Sequence, residues 1–226
     1  MVFLNTIFSN ILDVVFPTKC IFCGKKDTTL CENCLSDVQR AERESAEWIF
    51  PLYDYRNPMI KKSLWLLKYS GKKKLASIFA ENIYDNMVEE LSELAMMENF
   101  HNAFLIPIPL SKKRYRERGF NQSELICEEL IKINNSRKNL DLKLEKNILI
   151  KPKETEHQAR IKDKKLRLKN IIGSFAIKNS TQAELIKNRN IILLDDITTT
   201  GATLTEARKV LRLAGARKVI AFTVAH

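Results

Sequence analysis

Residues 190–218 read NIILLDDITTTGATLTEARKVLRLAGARK. A short apolar run, Ile191 to Leu194, leads into Asp195 and Asp196, and then into threonines 198, 199, 200 and 203 around Gly201. The apolar run has the length and composition of a buried parallel strand that ends at the two aspartates. Leu204, Ala207, Leu211 and Ala214 fall on one helical face, and Gly215 suits the end of that helix. The turn between them therefore sits where open α/β sheets take their ligands, at the carboxyl end of a strand. Backbone N–H groups, threonine hydroxyls and the positive helix end there suit a phosphate. Two adjacent carboxylates at a strand end are costly unless they accept hydrogen bonds or face a cation. A ligand with vicinal hydroxyls beside a phosphate, such as ribose 5-phosphate, meets both demands. Thr203-x-x-Glu206 also reads as a capping box, which would explain Thr203 but not the aspartates or Thr198 to Gly201. There is no Walker A sequence and no G-x-G-x-x-G.

Outward from this stretch, apolar runs alternate with helical patterns. AFLIPIPL (103–110), FNQSELICEELIKI (120–133), NILI (147–150) and KVIAFTVAH (218–226) surround it. Strands alternating with helices predict an α/β fold whose parallel sheet is covered on both faces, over residues 46–226. Cys127, alone in a helical pattern, reads as core.

Residues 1–45 read as a small N-terminal region. CIFCGKKDTTLCENC (20–34) holds two C-x-x-C knuckles separated by a seven-residue loop, with Gly24 relieving the first turn. Cys20, Cys23, Cys31 and Cys34 can set four thiolates around one zinc, and a site with four protein ligands has no open position, so the metal is structural. MVFLNTIFSNILDVVF (1–16) lacks a basic start and a small-residue cleavage site, and Asp13 interrupts it. It reads as an amphipathic helix rather than a signal peptide, which points to the cytoplasm and to reduced thiols. No run is apolar enough to span a membrane.

The chain has 226 residues and a net charge of +11, with a pI near 9.4, which favours phosphorylated or polyanionic partners. The charge is concentrated. PIPLSKKRYRERGFNQ reads as a strand end and a basic loop into a helix, where Lys112, Lys113, Arg114, Arg116 and Arg118 face a single acid, Glu117. It is either a solvated turn or an anion contact, with Gly119 allowing close approach and Asn121 and Gln122 able to cap the helix or meet the anion. KPKETEHQARIKDKKLRLKN (151–170) carries eight basic residues against three acids, and His157 within it reads as exposed loop rather than as a base. KKSLWLLKYSGKKK (61–74) is an amphipathic helix with Trp65 and Tyr69 on one face. Periodicity assigns Trp65 to the core and leaves Tyr69 and Lys72, Lys73 and Lys74 as candidates for bases and phosphates of a single strand.

IILLDDITTTGAT resembles the signature by which type I phosphoribosyltransferases bind 5-phosphoribosyl-1-pyrophosphate (PRPP). IPIPLSKKRYRERGFNQSELI, HQARIKDKKLRLKNIIGSFAI and the preceding tetracysteine knuckle resemble the ComF family, which couples that domain to DNA uptake in competence. The resemblance implies a type I phosphoribosyltransferase-like domain after the knuckle. It implies Asp195 and Asp196 on the ribose hydroxyls, Thr198, Thr199, Thr200, Gly201, Ala202 and Thr203 on the 5′-phosphate, and Arg116, Arg118 and Gly119 at the pyrophosphate. Gln158, Arg160, Arg167 and Asn170 would belong to a mobile loop closing over PRPP. Catalytic roles would fall to Asp195, Asp196 and Arg118, with Mg²⁺ accompanying PRPP. Lys72, Lys73, Lys74, Lys112, Lys113 and Arg114 would contact single-stranded DNA. Two functions follow from the resemblance. One is cytoplasmic handling of incoming single-stranded DNA by a competence protein, with other competence proteins as candidate partners and a PRPP pocket retained. The other is an active phosphoribosyltransferase acting on a nitrogen acceptor.

Overall fold

A computed structural model of the chain describes residues 18–41, 46–152 and 171–226. The chain divides into two units, with the boundary between Gln39 and Arg40. The expected N-terminal helix (1–16) and the basic segment holding His157, Gln158, Arg160, Arg167 and Asn170 lie outside the described residues.

In the first unit, Lys19 and Lys26 form an antiparallel bridge around the first knuckle, where Gly24 N–H donates to Cys20 O at 3.0 Å and Gly24 has φ +78°. The second knuckle opens a short helix, α1 (Glu32–Ser36), with Cys31 as its N-cap.

The second unit contains a five-stranded sheet. Its strands are β1 (Ile49–Tyr53), β2 (Ala103–Pro107), β3 (Leu142–Leu144), β6 (Asn190–Ile197) and β7 (Lys218–Ala225), in the order β1-β7-β6-β2-β3. Every pairing in it is parallel, as the alternating pattern predicts. A small antiparallel pair, β4 (Leu149–Ile150) with β5 (Ala176–Ile177), lies outside it. Pro51 has no N–H to give to a ladder, and β1 is accordingly an edge strand.

Side chains alternate across the strands, and both faces are buried. Phe104, Ile106, Ile191, Leu193, Val219 and Ala221 form one core with helix α7 (Ala202–Leu213), through Leu204, Ala207 and Leu211. The alternate residues Leu105, Ile192, Leu194, Ile220 and Phe222 are equally buried. Helices α3 (Lys74–Glu98) and α5 (Gln122–Arg137) contact the sheet and each other. Cys127, in α5, is fully buried, and burial holds its thiol well above its usual pKa. Helix α6 (Ser180–Ile186) leads into β6.

Helix ends follow local chemistry. The Asn57 side chain accepts from Met59 and Ile60 N–H at the start of α2 (Pro58–Tyr69), with Pro58 in the first turn where its missing N–H costs nothing. The expected basic loop after β2 is instead a helix, α4 (Lys112–Arg118), capped by Ser111 and ended by Gly119 at φ +77°. Asn121 then caps α5, and its Nδ2 donates to Ile108 O at 3.0 Å. The Thr203–Glu206 capping box does not form. Thr203 lies inside α7, whose N-cap is Gly201, while the Glu206 carboxylate accepts from Gly173 N–H at 2.7 Å. At the other end of α7, Ala214 takes the cap and Gly215, at φ +96°, follows it.

Candidate functional site

Chain direction fixes where the site lies. From β2 the chain proceeds to β3 on one side, and from β6 to β7 on the other. The carboxyl ends of β2 and β6 thus flank the point where strand order reverses, which is where parallel sheets leave a crevice. The two ends are joined by Ile108 N–H donating to Leu194 O at 2.9 Å. Above them opens a cleft of about 590 Å³, within the range of small-molecule sites. Its lining comes from five stretches: Tyr55, α2 (Leu64, Trp65, Lys68, Tyr69), the residues after β2 (Ile108 to Leu110, with Arg114, Arg118, Gln122 and Ser123), Lys151, and Asp195 to Leu204.

β6 continues one residue past the aspartates, to Ile197, and holds both carboxylates against α5 and α2. Asp195 Oδ1 accepts from Ser123 Oγ at 3.1 Å and from Asp196 N–H at 2.9 Å. Asp196 Oδ2 accepts from Gln122 Nε2 at 3.1 Å and faces Lys68 Nζ at 2.9 Å. Burial, reinforced by the charge of Asp196, pushes the Asp195 carboxyl up to about 7; its hydrogen bonds and Lys68 act the other way. Gln122 is 1% exposed, and its Oε1 has no partner among the described residues, so the amide is held by its Nε2 bond to Asp196 alone.

The turn after β6 carries Thr198 to Gly201 into α7. Thr198 is tied down by its N–H to Ala225 O at 2.9 Å, whereas Thr199 is exposed. Thr200 Oγ1 accepts weakly from Ala202 N–H at 3.4 Å. Gly201 has φ +69°, which side-chain-bearing residues rarely adopt, and a Cβ there would stand 3.4 Å from Ile49 Cδ1. The α7 amino terminus opens directly on the cleft, so its dipole favours an anion.

The residues expected at the ribose and phosphate, Asp195, Asp196 and Thr198 to Thr203, all line this cleft. Of the pyrophosphate group only Arg118 does; Arg116 points away, its Nε donating to Lys112 O at 3.4 Å, and Gly119 serves the end of α4. Arg118 donates to Tyr69 Oη at 3.1 Å and lies 5.0 Å from the centre of that ring. Arg114, expected on DNA, lines the cleft as well. Lys112 and Lys113 are exposed on α4, and Lys72, Lys73 and Lys74 are exposed after α2, Lys73 lying 4.9 Å from the Phe120 ring centre.

Trp65 corrects the sequence reading: it is 55% exposed and lines the cleft, while Ile60, Ser63, Leu64 and Leu67 form the buried face of α2. Lys68, Ser123 and Lys151 were not anticipated at the site. Lys68 shares a helix face with Trp65, three residues before it, so assigning that face to the core concealed it. Ser123 carries no signal of its own.

In the first unit the sulfurs of Cys20, Cys23, Cys31 and Cys34 all lie within 4.8 Å of one another, with Cys20–Cys34 at 3.9 Å and Cys23–Cys31 at 3.5 Å. Four thiolates about 2.3 Å from a tetrahedral zinc stand about 3.8 Å apart. Those spacings fit zinc and are far too long for disulfides. The four cysteines form a zinc-binding site.

Comparison with known proteins extends this picture. The description "double zinc ribbon domain" matches residues 11–45, a span with four cysteines and no histidine, sufficient for one such zinc. Over 219 residues the chain is 30% identical to the competence protein ComFC of Bacillus subtilis (strain 168), an alignment covering 91% of this chain and 76% of that protein. It is 26% identical over 219 residues to the DNA utilization protein YhgH of Escherichia coli O157:H7, covering 88% and 85% of the two chains. Among solved structures it is similar to the hypoxanthine-guanine phosphoribosyltransferase of L. donovani, with 10% identity, 67% of each chain covered and a TM-score of 0.38. Among the described residues no helix is long and apolar enough to cross a membrane.

Proposed function

The chain belongs to the ComF family of competence and DNA utilization proteins, and from that premise we propose that it binds PRPP, or another ribose 5-phosphate ligand, while handling single-stranded DNA in the cytoplasm during transformation. One observation carries the pocket reading. Two carboxylates at the end of β6 are held by Ser123, Gln122 and Lys68 in the same cleft as a glycine-initiated helix start. Carboxylates accept from vicinal ribose hydroxyls, and the turn from Thr198 to Thr203 receives the 5′-phosphate. Arg114, Arg118 and Lys151 provide positive charge along the rest of the lining, where a pyrophosphate would need it.

Mg²⁺ prefers oxygen ligands and keeps much of its water, so it is commonly bound through one or two carboxylates and the phosphates of its partner. Asp195 and Asp196 have the right chemistry, but Lys68, Gln122 and Ser123 already occupy one oxygen of each. The ion would therefore be held largely by the phosphates, neutralising their charge. The exposed lysines of α4 and those following α2 suit contacts with DNA phosphates.

The acid pair, the threonine turn and a cationic lining in one cleft support a second reading, an active phosphoribosyltransferase. The bond from ribose C1 to pyrophosphate would break, its electron pair leaving with pyrophosphate. An acceptor nitrogen would bond to C1 and release its proton to solvent.

Calorimetric titration of PRPP with Mg²⁺, with and without a short single-stranded oligonucleotide, tests the proposal. Binding of both, each altering the affinity of the other, supports it. DNA binding without PRPP binding would leave the cleft as inherited scaffold.

A further inference from the structure

The cleft has an aromatic wall as well as an acidic floor. Trp65 and Tyr69 are 55% and 50% exposed, a large apolar area to leave in water on a helix whose opposite face is fully buried. Their ring centres lie 5.9 Å apart, and both line the cleft that holds the aspartates. Arg118 fixes Tyr69 through a hydrogen bond to its hydroxyl and a guanidinium 5.0 Å from its ring centre. Lys68, one helical turn beyond Trp65, is the cation that holds Asp196. The acid pair and the tryptophan are thus tied to the same short helix, about one turn apart along it.

Resting on the phosphoribosyl reading above, we infer that Trp65, flanked by Tyr69, is a stacking platform for a planar nucleobase placed beside the ribose-binding carboxylates. The cleft would then take a nucleotide unit, either a free nucleoside monophosphate or the terminal residue of a strand, or a phosphoribosyl ligand together with a heterocyclic acceptor. A flat ring placed against exposed indole excludes water from both, and such stacking tolerates any base. Discrimination between bases would have to come from polar groups at the ring edge.

The test compares ribose 5-phosphate with AMP, GMP, CMP and UMP by calorimetry, using the full chain and its Trp65→Ala and Trp65→Phe variants. The quantity read is the ratio of nucleotide to ribose 5-phosphate affinity. Stacking makes at least one nucleotide about fivefold to a hundredfold tighter than ribose 5-phosphate. Trp65→Ala should bring that ratio close to one, and Trp65→Phe should keep much of it. A ratio of one in the unaltered chain, or a ratio that survives Trp65→Ala, overturns the platform. If ribose 5-phosphate does not bind but nucleotides do so through Trp65, the phosphoribosyl reading falls and the platform stands. If nothing binds, both fall. Single-stranded oligonucleotides with and without a 5′-phosphate then separate the two sources: equal affinity assigns the base to free nucleotides, and a phosphate-dependent gain assigns it to a strand end.

Discussion

Lys68 Nζ lies 2.9 Å from Asp196 Oδ2, with the two side chains only 14% and 10% exposed. The pair joins α2 to the end of the central strand. Removing one member leaves the other charged and largely out of water, which typically costs about 3–5 kcal/mol. Lys68→Met should therefore lower stability on that scale in urea unfolding. Lys68→Met combined with Asp196→Asn should recover much of the loss, because no lone charge then remains. A single variant as stable as the parent would show that the pair is solvated and does not brace the site.

Asp195 gives the cleft a pH dependence. Its carboxyl is raised from 3.8 to about 7, so between those values the folded chain keeps a proton that the unfolded chain has released. Stability from this group is full below about pH 4, declines as pH rises, and levels off above about 7. Ligand hydroxyls favour the carboxylate, so affinity for PRPP should run the opposite way, rising up to about tenfold per unit below pH 7 and flattening above it. Calorimetry at pH 6, 7 and 8 on the parent and Asp195→Asn checks this, since the titration of the phosphate itself is common to both. Parallel profiles in the two proteins would remove Asp195 from the binding equilibrium.

Gly201 holds a left-handed conformation at the start of α7, facing Ile49. Gly201→Ala should cost about 1–2 kcal/mol of stability from backbone strain. Because the turn would also shift, PRPP affinity should fall further than stability alone requires. A fully folded variant with unchanged affinity would mean the turn does not touch the phosphate.

The four-cysteine site should carry one zinc per chain, and Cys31→Ser should strongly weaken its retention. Metal analysis after dialysis against a chelator is the measurement. Full zinc occupancy in that variant would show that three thiolates suffice.

Exposed lysines on α4 and after α2 should make oligonucleotide binding steeply salt-dependent, with log K falling linearly against log salt. Replacing Lys72, Lys73 and Lys74 by Gln should reduce that slope by about 2 to 3 if each neutralises a phosphate. An unchanged slope would place the strand elsewhere.

The sequence was most legible where chemistry and chain neighbourhood coincide. The zinc ligands lie within fifteen residues, and the aspartates, threonines and Gly201 follow one another along a strand and turn. Local rules sufficed for them. Trp65 was misjudged because a 3.6-residue period identifies a stripe without saying which neighbour covers it; Leu64 and Leu67 went inward and left the indole beside the cleft. Ser111 and Gly119 did carry the start and stop signals of α4, but the density of like charge between them suggested a loop. Gln122 and Ser123 could not be matched to their aspartates, because only the pairing of β2 beside β6 brings them together.

The sheet order also governs synthesis. β1 is made early, yet its one strand partner is β7, which is translated last among the described strands and slots between β1 and β6. At ordinary elongation rates β1 waits roughly ten to thirty seconds for its neighbour. During that wait the apolar edge of β1 is unpaired on the ribosome, joined for the last few seconds by that of β6, so nascent-chain holdases should matter more for this protein than its modest size suggests, and its cleft becomes available only once β7 has been made.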